Sequence, residues 1–136
     1  MVNYELGKEG EAQARVILKN LGYEVQSPDW LGLKDDEFTC FEVKKKERFT
    51  AGFGCNFDGH GLDSRQIYLR EKLFLKTGIR TYLMIFEVPI GLVFGQWLDI
   101  LECGKKYITK NRIVIYPLES FENLKSLITC PKNWEG

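Results

Sequence analysis

The chain has 136 residues, of which 44% are hydrophobic and 13% aromatic, a composition that suits one globular domain over residues 1–136 and excludes a disordered chain. Its 19 basic and 19 acidic residues cancel, which argues against a non-specific coat of nucleic acid but leaves room for a local basic face. No apolar run approaches the roughly 20 residues of a membrane span, and the first residues carry Glu5, Glu9 and Glu11 where a secretory leader would be apolar, so a cytoplasmic protein is expected.

The spacing predicts a first helix from about Tyr4 to Leu21. Leu6, Gly10, Ala14, Ile17 and Leu21 recur at helical intervals, and Gly22 ends the run. Glu11 borders that apolar stripe, whereas Glu9 points to solvent. A hairpin follows: Asp29 to Leu33 as one strand, Lys34 to Glu37 as a polar turn, and Phe38 to Lys46 as the second strand. Phe49 to Leu62 carries Gly52, Gly54, Gly59 and Gly61 among Phe49, Phe53 and Phe57, and this density of glycine reads as a mobile loop. A second helix is predicted from about Asp63, a good N-cap, to Thr77, with Gly78 as its stop. Ile67 and Phe74 line one part of its buried face and Leu69 and Leu73 the other. Ile79 to Val88 reads as a central strand, Leu92 to Leu98 and Arg112 to Tyr116 as further strands, and Ser120 to Ile128 as a last short helix. The order gives an α/β fold with a central mixed sheet flanked by helices.

The four cysteines have no C-x-x-C spacing and His60 is the sole histidine, so a structural zinc site is not expected and the thiols are read as reduced. Cys40 falls on an inner strand as a small core residue. Trp30, Trp97 and Trp134 are read as packing residues.

Glu42-Val43-Lys44 is the most informative triplet, because Glu42 is the acidic residue with a lysine two positions on and lies 13 residues after Asp29. Side chains alternate along a strand, so Glu42 and Lys44 share a face, and hairpin register could bring Asp29 alongside. Two carboxylates and an ammonium on one face suit a divalent cation and a phosphate. Asp29 and Glu42 would be the ligands, with the Val43 carbonyl as a third, and Lys44 would act on the attacking water. Other readings stay open: a same-face ion pair for Glu42 and Lys44, a turn-initiating role for Asp29, a helix-surface role for Glu11, and a capping-box role for Gln66 three residues after Asp63. Lys46, on the Lys44 face, and Arg48 and Arg65 are candidate phosphate contacts. His60, flanked by glycines, is expected to be exposed in the loop, where it too could meet phosphate.

Pro28-Asp29 followed by Glu42-x-Lys44, after a helix bearing Glu11, resembles the PD-(D/E)xK nuclease superfamily. Gly7-x-x-Gly10-Glu11 and the helix opened by Asp63-Ser64-Arg65-Gln66 resemble its Holliday-junction resolvase-like branch, over about residues 5–90. The resemblance implies a restriction-endonuclease-like core and Mg2+-dependent DNA endonuclease activity, with Mn2+ as a substitute. It implies Asp29 and Glu42 as metal ligands, Lys44 as catalytic, and Glu11 and Gln66 as further site residues. It also implies branched or distorted DNA as partner and a homodimer. Alternatives are a flap, end-processing or defence nuclease, or a nuclease-fold module that binds DNA without cutting it.

Overall fold

The computed structural model describes residues 2–26, 28–52 and 56–125, with side chains from residue 9 onward. It opens with α1 (Val2–Asn20) and the hairpin β1 (Trp30–Lys34) and β2 (Glu37–Lys46). β3 (Gly59–Asp63), α2 (Ser64–Thr77), β4 (Arg80–Glu87), β5 (Leu92–Trp97) and α3 (Leu98–Cys103) follow. The chain continues with β6 (Tyr107–Ile108), β7 (Ile113–Pro117), a 3-10 turn at Leu118–Ser120 and β8 (Glu122–Asn123). The α/β class and the central mixed sheet are both present. Five strands in the order β1-β2-β4-β5-β8 form the main sheet, in which β2 and β4 are parallel and the other pairs antiparallel. A second, antiparallel sheet has the order β3-β7-β6.

The hairpin is tighter than the sequence suggests. Asp35 and Asp36 alone form its turn, both at positive φ (52° and 63°), the left-handed pair that a two-residue hairpin requires and that Asp tolerates. The predicted cap and stop of α2 are both formed. Asp63 accepts the Arg65 N–H at 2.8 Å, and Gly78, at φ 77°, donates its N–H to the Phe74 carbonyl.

Leu83 and Ile85 of β4 and Phe94 of β5 form one wall of the core. Opposite them lie Ile67 of α2, Leu98 and Leu101 of α3, and Leu62, Val114 and Tyr116 of the second sheet. Cys40 joins this buried side as a free thiol whose pKa burial raises. Ile17 and Leu21 of α1 stay outside this core, 58% and 68% exposed. Trp30 is likewise exposed and not a packing residue, whereas Trp97 packs edge-on against Tyr82 and beneath Arg80. Trp134 lies outside the described residues.

Three predicted elements need correction. Gly59 to Leu62 is not mobile loop but part of β3, a buried strand paired with β7. Its glycines answer to close approach: a Cβ on Gly59 would stand 2.1 Å from the Tyr116 carbonyl oxygen, and one on Gly61 2.2 Å from that of Val114. Phe49 also bridges to Gly59, and Phe53 lies outside the described residues. Leu98–Cys103 is a short helix, not the end of a strand, because Leu98 and Leu101 reach the core together. The last helix does not begin at Ser120, since Glu122–Asn123 pairs with β5; residues 126–128 lie outside the described ones.

Two alanine substitutions test this account of the glycines. Gly61→Ala should lower stability by about 3 kcal/mol, because the new methyl meets fixed backbone. Gly10→Ala, with nothing within 4 Å, should be neutral or stabilising by up to about 1 kcal/mol. Denaturant unfolding of both variants gives the two values, and similar values would contradict the close approach.

Candidate active site

Pairing of Trp30 with Phe41 and Leu31 with Cys40 continues one step outward to set Asp29 opposite Glu42. Asp29 closes the hairpin there, its Oδ2 accepting the Val43 N–H at 2.8 Å. Its Oδ1 accepts no hydrogen bond from the described residues. Parallel pairing places Glu42 beside Leu83, Lys44 beside Ile85 and Lys46 beside Glu87, so the three charged residues of β2 share the buried face. Lys45, on the other face, is exposed.

Glu42 is 1% exposed. Arg70, 3% exposed on α2, brings its Nε to 2.8 Å from Glu42 Oε1, in an ion pair bent away from the hydrogen-bond line. Neither oxygen of Glu42 has a hydrogen-bond partner among the described residues: Oε1 has the Arg70 ion pair alone, and Oε2 has neither. Burial pushes the Glu42 carboxyl above its ordinary range. Arg70 and Lys44 pull it back, and Asp29 pushes it further up. Asp29, Glu42, Lys44 and Arg70 therefore form one electrostatic group. Arg70 also donates to Gln26 Oε1 at 3.0 Å, which ties the segment after α1 to the site.

Arg70 was not among the candidates that the sequence offered. A signal existed: Ile67 and Arg70 are three apart on a helix and face the same way, so burial of Ile67 turns Arg70 inward. Phe74, expected beside Ile67 on that face, is 41% exposed.

The other candidates are distributed as follows. Glu11 is exposed on α1, and Asp29, Lys44 and Arg70 are the groups that act on Glu42. Gln66 is half-buried and lines a cleft between the end of α1 and α2, with Arg65 exposed beside it. Lys46 spends a donor on the Gly61 carbonyl at 3.0 Å, and burial lowers its pKa. Arg48 donates from Nε and Nη2 to the two oxygens of Glu87 at 3.0 and 2.8 Å. His60 is not exposed but fully buried, with Nε2 2.6 Å from Glu87 Oε2, and has no surface to offer a phosphate.

The Glu87 cluster joins the two sheets. Desolvation opposes its charge, yet hydrogen bonds from Arg48 and His60 prevail and hold the carboxyl below its ordinary range. Arg48 already neutralises Glu87, so desolvation dominates at His60 and lowers its pKa. His60 is thus a neutral donor, with its buried Nδ1 unpartnered.

Among the described residues, no three His, Cys, Asp or Glu side chains gather as a metal cluster, and no helix is long and apolar enough to cross a membrane. No family model matches the sequence, and no curated protein matches it. Among solved structures, the chain is similar to Hjc, a Holliday junction resolvase from the archaeal hyperthermophile Archaeoglobus fulgidus. The match covers 86% of this chain and 95% of that one, at 14% identity and a TM-score of 0.49.

The Glu87 cluster predicts acid sensitivity. With its folded pKa below the unfolded one, His60 binds a proton more readily in the unfolded chain, so stability falls as pH drops below about 6.5. Glu87 acts in the same direction at lower pH, since its contribution is present above the unfolded carboxylate pKa and lost as pH falls through the folded one. Melting temperatures from pH 7.5 to 5.5 should therefore fall more steeply for the parent than for His60→Gln. Equal slopes would contradict the assignment of a neutral His60.

Proposed function

We propose that this chain is a divalent-metal-dependent nuclease that hydrolyses phosphodiester bonds in DNA. The observation that carries the reading is the unpartnered Oε2 of buried Glu42, with Asp29 opposite it across the hairpin. A buried carboxylate oxygen without a partner is costly, and a ligand that uses it removes the cost. The donor set is all oxygen, which suits a hard cation that keeps several waters. Asp29, Glu42 and the Val43 carbonyl would hold Mg2+, with Mn2+ as a substitute. Bound there, the ion would make an attacking hydroxide available near neutral pH and offset charge on the non-bridging oxygens.

The chain's own residues do the rest. The Val43 N–H keeps the Asp29 carboxylate in register with β2. Arg70 holds one oxygen of Glu42, which fixes the rotamer and leaves the other oxygen for a ligand. Lys44, on the same face, orients the attacking water and sets positive charge beside the scissile phosphate. Glu11 and Gln66 remain further site residues in this reading, with Glu11 requiring α1 to approach the sheet when substrate binds. Of the three candidate phosphate contacts Arg65 is retained, since Lys46 and Arg48 are engaged internally.

Branched or distorted DNA is the proposed substrate, with a Holliday junction as one form of it. Cutting two opposed strands would require two copies related by symmetry. A flap or end-processing role draws on the same residues. The hold of Arg70 on Glu42 favours a second reading, a module that binds DNA without cutting it, because an arginine can supply the counter-charge that a metal otherwise would.

A cleavage panel of four-way junction, flap, duplex and single-stranded DNA, and RNA, with and without Mg2+ or Mn2+, tests both readings. The nuclease reading expects metal-dependent cleavage and a fall in turnover of roughly 100-fold or more in Lys44→Ala, with affinity little changed. No cleavage of any substrate would favour the binding module. Near-normal turnover in Lys44→Ala would overturn the role given to the lysine.

A further inference from the structure

We propose that the cleft between the end of α1 and α2 binds one single nucleic-acid strand. That the strand runs on to Glu42 rests on the nuclease reading; the binding itself does not. The cleft has a volume of about 510 Å³, and its lining includes Arg15, Lys19, Tyr23, Arg65, Gln66 and Arg70.

Charge is the first argument. Glu24 is the acidic residue in the lining, and its carboxylate is held by Lys72. Arg15, Lys19 and Arg65 make no ion pair with a carboxylate of the described residues. Three uncompensated cations around one cleft repel one another, and a chain of phosphates relieves that repulsion. The nearest basic alternatives offer less: Lys46 donates into β3, and Arg48 is bound to Glu87.

Shape and chemistry are the second. A space of this volume is roughly 10 Å across; a duplex, whose major groove alone is about 12 Å wide and which is broader still, does not enter it, whereas a single strand does. Tyr23 is 63% exposed at the rim, where its ring can stack on a base. Gln66 offers an amide beside it, able to donate to a phosphate or a base edge. Position is the third. Arg70 lines the cleft and also contacts Glu42, so a strand lying there ends beside the carboxylates. A substrate with a single-stranded arm at the point of cleavage follows from this placement.

Anisotropy of labelled single-stranded DNA, single-stranded RNA of the same sequence and blunt duplex DNA, in EDTA over a series of salt concentrations, tests the proposal without cleavage. The parent should bind a single strand more tightly than duplex, and the ratio of the DNA and RNA affinities names the preferred sugar. The triple variant Arg15→Ala, Lys19→Ala, Arg65→Ala should lose single-strand affinity by 10-fold or more. Its log–log salt slope should fall by roughly 2, as for three lost phosphate contacts to a single strand. Lys34→Ala with Lys110→Ala, exposed lysines away from the cleft, should leave both values unchanged. Equal slopes for parent and triple variant, or a parent that prefers duplex, would overturn the proposal. The two readings separate cleanly. Loss of strand binding in the triple variant of a protein that cleaves nothing keeps the cleft and removes the nuclease. Metal-dependent cleavage with an unchanged slope does the reverse.

Discussion

The arrangement depends on one buried carboxylate. Glu42 stands in the middle of β2, between β1 and the parallel partner β4, and is 1% exposed. Burying a charge there is costly unless it is compensated, and Arg70 supplies the compensation from α2. The pairing has consequences on both sides. It fixes the rotation of α2 about its axis, since Arg70 and Ile67 are its buried residues. Through Arg70 Nη1 it also holds Gln26, and with it the chain leaving α1. The cleft lined by Arg15, Lys19 and Arg65 exists because that segment is tied down beside α2.

A second buried carboxylate shows what a completed arrangement looks like. Glu87, four residue pairs further along the same ladder, receives donors from Arg48 and His60 on both oxygens. It locks β4 to β3 and joins the two sheets. The contrast with Glu42 is informative. Both are 1% exposed, but Glu87 is satisfied by the protein alone, whereas Glu42 keeps an oxygen without a partner. A satisfied buried carboxylate builds structure, and in the proposed reading the spare oxygen of Glu42 is the one that takes a ligand. One strand pair thus carries both kinds of buried carboxylate, four residue pairs apart.

What the sequence disclosed follows from the physics of each element. The hairpin was legible because alternation and turn residues are local, and the shared face of Glu42 and Lys44 follows from a period of two. β3 was hidden because its glycines resemble a loop in sequence, while in space they admit the β7 backbone. His60 then moved from surface to core, since its position depends on a sheet that local pattern does not reveal. The helical period of α1 was correct, but periodicity identifies an apolar stripe without saying what covers it. Arg70 was missed for a related reason: a charged residue on a helix looks solvated in sequence, and only packing turns it inward.

Calorimetric titration of Mn2+ and Mg2+ into the protein tests the central claim, that the free oxygen of Glu42 and the carboxylate of Asp29 await a divalent ion. The account predicts one binding event, abolished by Glu42→Gln and by Asp29→Asn, with the fold retained as judged by circular dichroism. Binding that survives both substitutions, or no binding in the parent at millimolar metal, would contradict it.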